Sequence, residues 1–192
     1  VKALSDFCCE LHINVPTGKD SLSMTQKYPD GKKVIAPGTV IVSAGGEVDD
    51  IRKVVSPVIK DVAKSRLYYI DFSFDKLQLG GSAFAQSQGK VGSDVPTVKD
   101  PEYFADAFNA VQQLIEKDLV LAGHDISAGG IITTLLEMCF ANTKGGLELN
   151  FDKINEADIV KLLFAENPGV VIQVSDNNAA EVKSILEKAG VT

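Results

Sequence analysis

The sequence predicts an α/β fold, a mixed sheet with covering helices, on three observations. Short β-branched and aromatic runs recur along the chain, and each reads as a strand. Stretches with apolar residues at helical spacing separate them, most of ten residues or more, the length that covers a sheet face. The composition, 45% hydrophobic and 23% charged over 192 residues, is that of a globular chain able to bury a core.

Taken in order, residues 1–33 carry Pro16, Gly18, Asp20, Ser21, Pro29, Asp30 and Gly31 and read as loop chemistry. Val40–Ala44 is a β-branched strand ended by Gly45 and Gly46. Val48, Ile51, Val54 and Val55 lie at helical spacing, and Pro57 breaks that helix. Leu67–Phe72 is a second strand. Asp100-Pro101-Glu102 is a helix start, with a capping acid, Pro at the first helical position and a further acid in the first turn. Phe104, Phe108, Val111, Leu114 and Ile115 continue it as an apolar stripe. Leu119–Ala122 reads as a buried strand, 130–141 as a helix and Leu147–Phe151 as an alternating strand. Helical spacing over 154–164, a strand over Val170–Val174 and a helix over 178–189, stopped by Gly190, complete the chain.

Nineteen Lys and Arg against 26 Asp and Glu leave a net charge of −7. That balance argues against a nucleic-acid backbone as partner, while a single nucleotide needs only a local site. No apolar run approaches the roughly 20 residues of a membrane span, so no membrane is expected as a partner. Cys8, Cys9 and Cys139, an odd set with two adjacent thiols, point to a reducing, cytoplasmic compartment. The chain starts at Val1 without a leader and reads as cut from something longer.

Four segments carry chemistry. In His124-Asp125-Ile126-Ser127-Ala128-Gly129-Gly130 a strand runs into a carboxylate, a hydroxyl, two glycines and a helix. Ligands in open α/β sheets sit beyond the carboxyl ends of strands, and a helix start favours phosphate. Asp125 suits a hard cation such as magnesium, Ser127 a phosphate oxygen, and Gly129 and Gly130 close backbone approach. A helix cap followed by a plain turn reads the same residues equally well. Pro16–Met24 holds Lys19, Asp20, Ser21 and Ser23 on one loop, without the upstream glycine of a P-loop, since position 13 is Ile. It suits a phosphorylated substrate or a solvated turn. Leu79–Gln86 offers Gly80 and Gly81 before a small-residue helix, which a tight turn explains equally well, and Leu163–Val174 a Glu-Asn-Pro-Gly corner whose Glu166 reads as a functional acid or, more often at such a corner, as a cap or a solvated acid. His12 and His124, the two histidines, read as structural rather than as bases, and no residue is assigned as catalytic.

Together PTGKDSLSM (16–24), LGGSAFAQ (79–86), GHDISAGGIITTLLEMCFA (123–141) and LFAENPGVVIQV (163–174) resemble the large phosphoribosylformylglycinamidine synthases, of the AIR synthase-like superfamily. The likeness implies a fragment of the second AIR synthase-like half. Residues 1–45 are then the tail of an N-terminal-type subdomain with the GKDS loop, and 46–192 an AIR synthase C-terminal-type α/β domain. It implies an ATP- and glutamine-dependent conversion of formylglycinamide ribonucleotide to its amidine in purine biosynthesis. The partners are the other half and a glutaminase domain, and the fragment alone is inactive. Asp125 takes the place of a magnesium ligand, and Ser127, Gly129 and Gly130 that of an ATP or ADP site of auxiliary, structural character. Lys19, Asp20, Ser21 and Ser23 take that of a substrate-facing loop. Ala128 stands where an Asp is common in the family, removing one carboxylate. A structural nucleotide-binding domain, or another member of the superfamily, is the competing reading.

Overall fold

The computed structural model describes residues 1–61, 64–142 and 144–191, in two compact units, Val1–Asp49 and Asp50–Thr192. In the first unit, helix α1 spans Lys2–Glu10. Its apolar residues Leu4, Phe7, Cys8 and Leu11 fall at helical spacing, and Cys8 is the buried one. Strands β1 (Thr25–Lys27) and β2 (Lys33–Ile35) form an antiparallel hairpin with Gln26 opposite Val34. Tyr28 donates to Lys32 O at 2.9 Å across the Pro29-Asp30-Gly31 turn. The expectation of pure loop over 1–33 therefore fails in two places. Helix α1 forms because its stripe needs only nine residues, and the hairpin because its turn is strong although its strands are short and exposed. The strand expected over Val40–Ala44 does not form, and Ile41 is 86% exposed.

The second unit is built on three strands: β3 (Ser65–Asp71), β4 (Ala122–Asp125) and β5 (Gly169–Ser175). Their spatial order is β3-β5-β4, and both described pairings are antiparallel. The last strand is thus inserted between the first two, which run in the same direction without touching. This is why strand–helix alternation reads as a crossover fold, since β3 and β4 are joined by one. The mixed α/β class with helices covering a sheet is what the unit shows.

Helices α3 (Pro101–Glu116) and α6 (Ala179–Lys188) share one core with Ile70, Phe72, Ile172 and Val174. Helix α4 (Gly130–Cys139) builds the other, where Ile131, Leu135 and Met138 meet Ala122 and Val171. Adjacent β5 residues alternate between the two cores, as a strand buried on both faces must. Helix α3 starts as its sequence predicts, with the Asp100 carboxylate accepting from Glu102 N and Tyr103 N. The short helices α2 (Ala83–Ser87) and α5 (Ile159–Phe164) lie within the β3–β4 and β4–β5 connections.

Four element boundaries differ from expectation. The helix expected over Val48–Val55 is a single 3₁₀ turn, Ile51–Lys53, capped by Asp50. Strand β4 lies three residues beyond Leu119–Ala122, because the apolar run leads into the sheet and the ladder extends to Asp125. Leu147–Phe151 forms no strand, and its Leu147 and Phe151 pack on the α4 core instead. The helix expected from 154 begins only at Ile159, where Asp158 accepts from Val160 N at 2.9 Å. Among the described residues no helix is long and apolar enough to cross a membrane.

Two stability measurements follow from this packing. Leu114 has no solvent exposure, so Leu114→Ala lowers urea-unfolding stability by about 3 kcal/mol, whereas Asp100→Ala, a lost cap, costs about 1 kcal/mol. The reverse order contradicts the core described. Asp176 is held below the usual carboxylate range by its hydrogen bond from Arg66 Nε, at 2.8 Å. A depressed folded-state value stabilises above the unfolded value of about 3.9 and is lost as pH falls further. Asp176→Asn should therefore flatten part of the acid loss of melting temperature below about pH 5, by a small amount because the pair is exposed. An unchanged slope rules the contribution out.

Candidate functional site

Register places the candidate site. Asp71, the last residue of β3, faces Gly169, the first of β5, and Asp125, the last of β4, faces Val170. The loops following β3 and β4 and the corner preceding β5 therefore meet at one end of the sheet. Phe72 N donates to Pro168 O at 2.9 Å and Ile126 N to Gly169 O at 2.8 Å, extending both ladders into these loops. Behind them, Asp71 accepts from Ser73 N and Ser73 Oγ, and from Phe74 N. Buried Asn167 donates to Ser73 Oγ and Lys76 O and accepts from Gln78 N, so the 73–78 loop is fixed by one amide. Burial, and then the nearby Asp71 charge, push the Tyr69 hydroxyl well above its ordinary range, so it stays protonated.

Two glycine-rich loops converge on Glu166. Its Oε1 accepts from Ala83 N, at the start of α2, at 2.7 Å and from Gly129 N, before α4, at 2.8 Å. Phe84 stacks on Phe164 with centroids 4.7 Å apart, clamping the same junction. The glycines here answer to the protein's own backbone. A Cβ on Gly80 would lie 2.5 Å from Asp94 O. Gly130 has φ +72°, and a Cβ there would lie 2.7 Å from Leu163 O and from Phe164. Its N–H donates to Ser127 O at 3.0 Å. Of the residues expected to meet a phosphate, Gly129 and Gly130 thus have both N–H groups engaged within the protein.

Asp125 and Ser127 are different, because both side chains reach solvent. The Asp125 side chain is 70% exposed and its Oδ1 lies 3.1 Å from His124 Nδ1. His124 Nε2 lies 2.9 Å from Glu137 Oε2, so the ring is held between two carboxylates. Asp125 and His124 also form the polar edge of an apolar groove of about 350 Å³ between Val55, Phe72, Phe108, Val120 and Ile172. Among the described residues no group of three His, Cys, Asp or Glu is placed to hold a metal by itself. One exposed carboxylate fits a magnesium ion that arrives with a nucleotide, since that ion keeps waters and phosphate oxygens as most of its ligands.

Lys19, Asp20, Ser21 and Ser23 lie in the first unit, all exposed. Lys19 Nζ donates to Ser21 Oγ at 2.8 Å and Asp20 Oδ1 accepts from Leu22 N at 2.8 Å, a local turn that gathers charge and hydroxyls. Cys8, Cys9 and Cys139 are free thiols. Sequence reasoning weighs Glu166 but leaves it outside the assigned site, and it singles out nothing at Asn167; the structure makes Glu166 an acceptor at two helix starts. An acid and an amide directly before Pro-Gly at the entry to a buried strand were the available signal.

Comparison with known proteins gives the family. Residues 67–192 match the AIR synthase related protein, C-terminal domain, and residues 1–47 match the FGAR-AT PurM_N-like domain. The chain is 42% identical over 192 residues, 99% of its length, to a probable phosphoribosylformylglycinamidine synthase, chloroplastic/mitochondrial, of Arabidopsis thaliana. It spans 13% of that relative's length. Among solved structures, Thermotoga maritima PurL complexed with FGAR is similar at 16% identity with a TM-score of 0.52, covering 73% of this chain and 24% of that one. The same protein complexed with ATP gives 14% identity and 0.49, covering 74% and 22%. The chain belongs to the family of AIR synthase related proteins, with residues 67–192 as the C-terminal domain.

Proposed function

We propose that this chain is part of a phosphoribosylformylglycinamidine synthase and contributes a magnesium–nucleotide site to it. The 42% identity over 99% of the chain supports the parent activity. The observation that carries the site is Asp125, an exposed carboxylate on the last residue of β4, two residues before the Ser127 hydroxyl and just ahead of α4. In this reading Asp125 holds magnesium and Ser127 donates to a phosphate oxygen of ATP or ADP. Gly129 and Gly130 let the turn bend tightly enough to present both. Magnesium, when bound, neutralises charge on the phosphate chain. Lys19, Asp20, Ser21 and Ser23 face the substrate, formylglycinamide ribonucleotide, with Lys19 matching its phosphate charge. The division into an N-terminal-type tail over 1–45 and a C-terminal-type domain over 46–192 belongs to the same proposal. So do the remaining AIR synthase-like half and the glutaminase domain as partners, with the fragment inactive alone. A reducing compartment such as the cytosol suits the three free thiols, and the Arabidopsis relative is described as chloroplastic/mitochondrial.

One observation favours a structural over a catalytic role for the nucleotide. The N–H groups of Gly129 and Gly130 are satisfied internally, so α4 offers the phosphate less than an open helix start does.

Asp125→Asn in the full-length protein separates the readings. The nucleotide site predicts that magnesium-dependent ADP affinity, measured by calorimetry, falls roughly tenfold or more, the scale of one charged ligand lost. Unchanged affinity refutes the site. If affinity falls while turnover of the intact enzyme persists and melting temperature drops, the nucleotide is structural. Chelation with excess EDTA should weaken wild-type nucleotide retention in parallel, and retention indifferent to chelator argues against a metal at Asp125.

A further inference from the structure

We infer that Glu166 is a positioning residue that makes the 79–83 loop and the 126–130 loop one mechanical unit of the ligand site. A single oxygen, Glu166 Oε1, accepts from Ala83 N at 2.7 Å and from Gly129 N at 2.8 Å, joining backbones 46 residues apart in sequence. Both donors stand at helix starts, where an N–H has no partner inside its own helix and the local field favours a negative charge. A carboxylate there forms charge-assisted bonds, stronger than those a neutral acceptor makes. The Phe84–Phe164 stack and the Leu79 carbonyl, which accepts from Ser82 Oγ at 2.6 Å, stiffen the α2 side. On the other side, Gly130 sits against Leu163 and Phe164 with no room for a side chain, so the α4 turn cannot slide past the Glu166 corner. Glu166 is therefore an anion built into the fold. It satisfies the Gly129 amide within the protein, and it fixes where Asp125 and Ser127 present their oxygens.

The inference uses the magnesium–nucleotide reading for its ligand, while the strut itself is measurable without one. Three variants of the full-length protein test it. Glu166→Ala removes the acceptor. Glu166→Gln keeps an oxygen in place. Ala83→Pro removes one donor at a first helical position that tolerates proline, after a Ser82 already at φ −63° and ψ 156°. Hydrogen exchange read by mass spectrometry, without nucleotide, should accelerate in peptides of both loops for Glu166→Ala and by clearly less for Glu166→Gln, which keeps a neutral acceptor. Ala83→Pro should loosen the 126–130 loop although it touches only the other one. Magnesium-dependent ADP affinity should fall about tenfold in Glu166→Ala and stay within about threefold in Glu166→Gln. Exchange that changes in one loop alone, or in neither, overturns the strut. Affinity that is unchanged in Glu166→Ala overturns the positioning role, and affinity that rises shows the carboxylate competing with phosphate, which overturns it as well. A wild-type protein without ADP affinity refutes the nucleotide reading instead, and the exchange pattern then decides on the strut by itself.

Discussion

Everything in the second unit depends on β5 lying between β3 and β4. Both outer strands take their register from it, through Asp71 opposite Gly169 and Asp125 opposite Val170. Gln173, buried on the same strand, binds Lys60 N and O and Ser65 Oγ, tying down the segment that enters the sheet. Because β5 is buried on both faces, its alternating side chains belong to two cores at once, and a slip of one residue would exchange them. The site inherits its precision from this constraint. The three segments around Asp71, Asp125 and Glu166 are brought together by the strand pairing of β5 with β3 and β4.

The site is also a balance of charges. The helix starts at α2 and α4 are the places where a small α/β domain most readily takes an anion. Here the protein's own Glu166 meets them first. What is left facing solvent at β4 is a carboxylate and a hydroxyl, Asp125 and Ser127, with the His124 ring 3.1 Å from Asp125 Oδ1. In the proposed reading a ligand of that face brings positive charge with it, as a magnesium-complexed nucleotide does and a bare phosphate does not. Ala128 adds no charge of its own at this turn.

Much of the fold was legible in the sequence. The elements predicted well were those whose signals are local and strong: the Asp100-Pro101 cap and stripe of α3, the β-branched run of β5, the Gly190 stop after α6. The failures are where long-range contacts decide. Val40–Val42 has the composition of a strand but no partner strand within its unit, and Leu147–Phe151 spends its apolar residues on the α4 core instead of on a ladder. Strand β4 was displaced because pairing with β5, not apolar content, sets its limits. At the site, Asp125 and Ser127 stood out because a strand, an acid and a glycine turn adjoin in sequence. Glu166 did not, because its two partners lie 83 and 37 residues away and only the folded chain brings them to one oxygen.

The proposed function has a magnesium nucleotide at the sheet end beside Asp125. The most direct measurement is a crystal structure of the full-length protein grown with magnesium and a non-hydrolysable ATP analogue. The account predicts a metal bound by an Asp125 carboxylate oxygen and phosphate oxygens, with Ser127 Oγ donating to the phosphate chain and Glu166 still on Ala83 N and Gly129 N. A nucleotide bound elsewhere, with Asp125 facing only solvent, would contradict it.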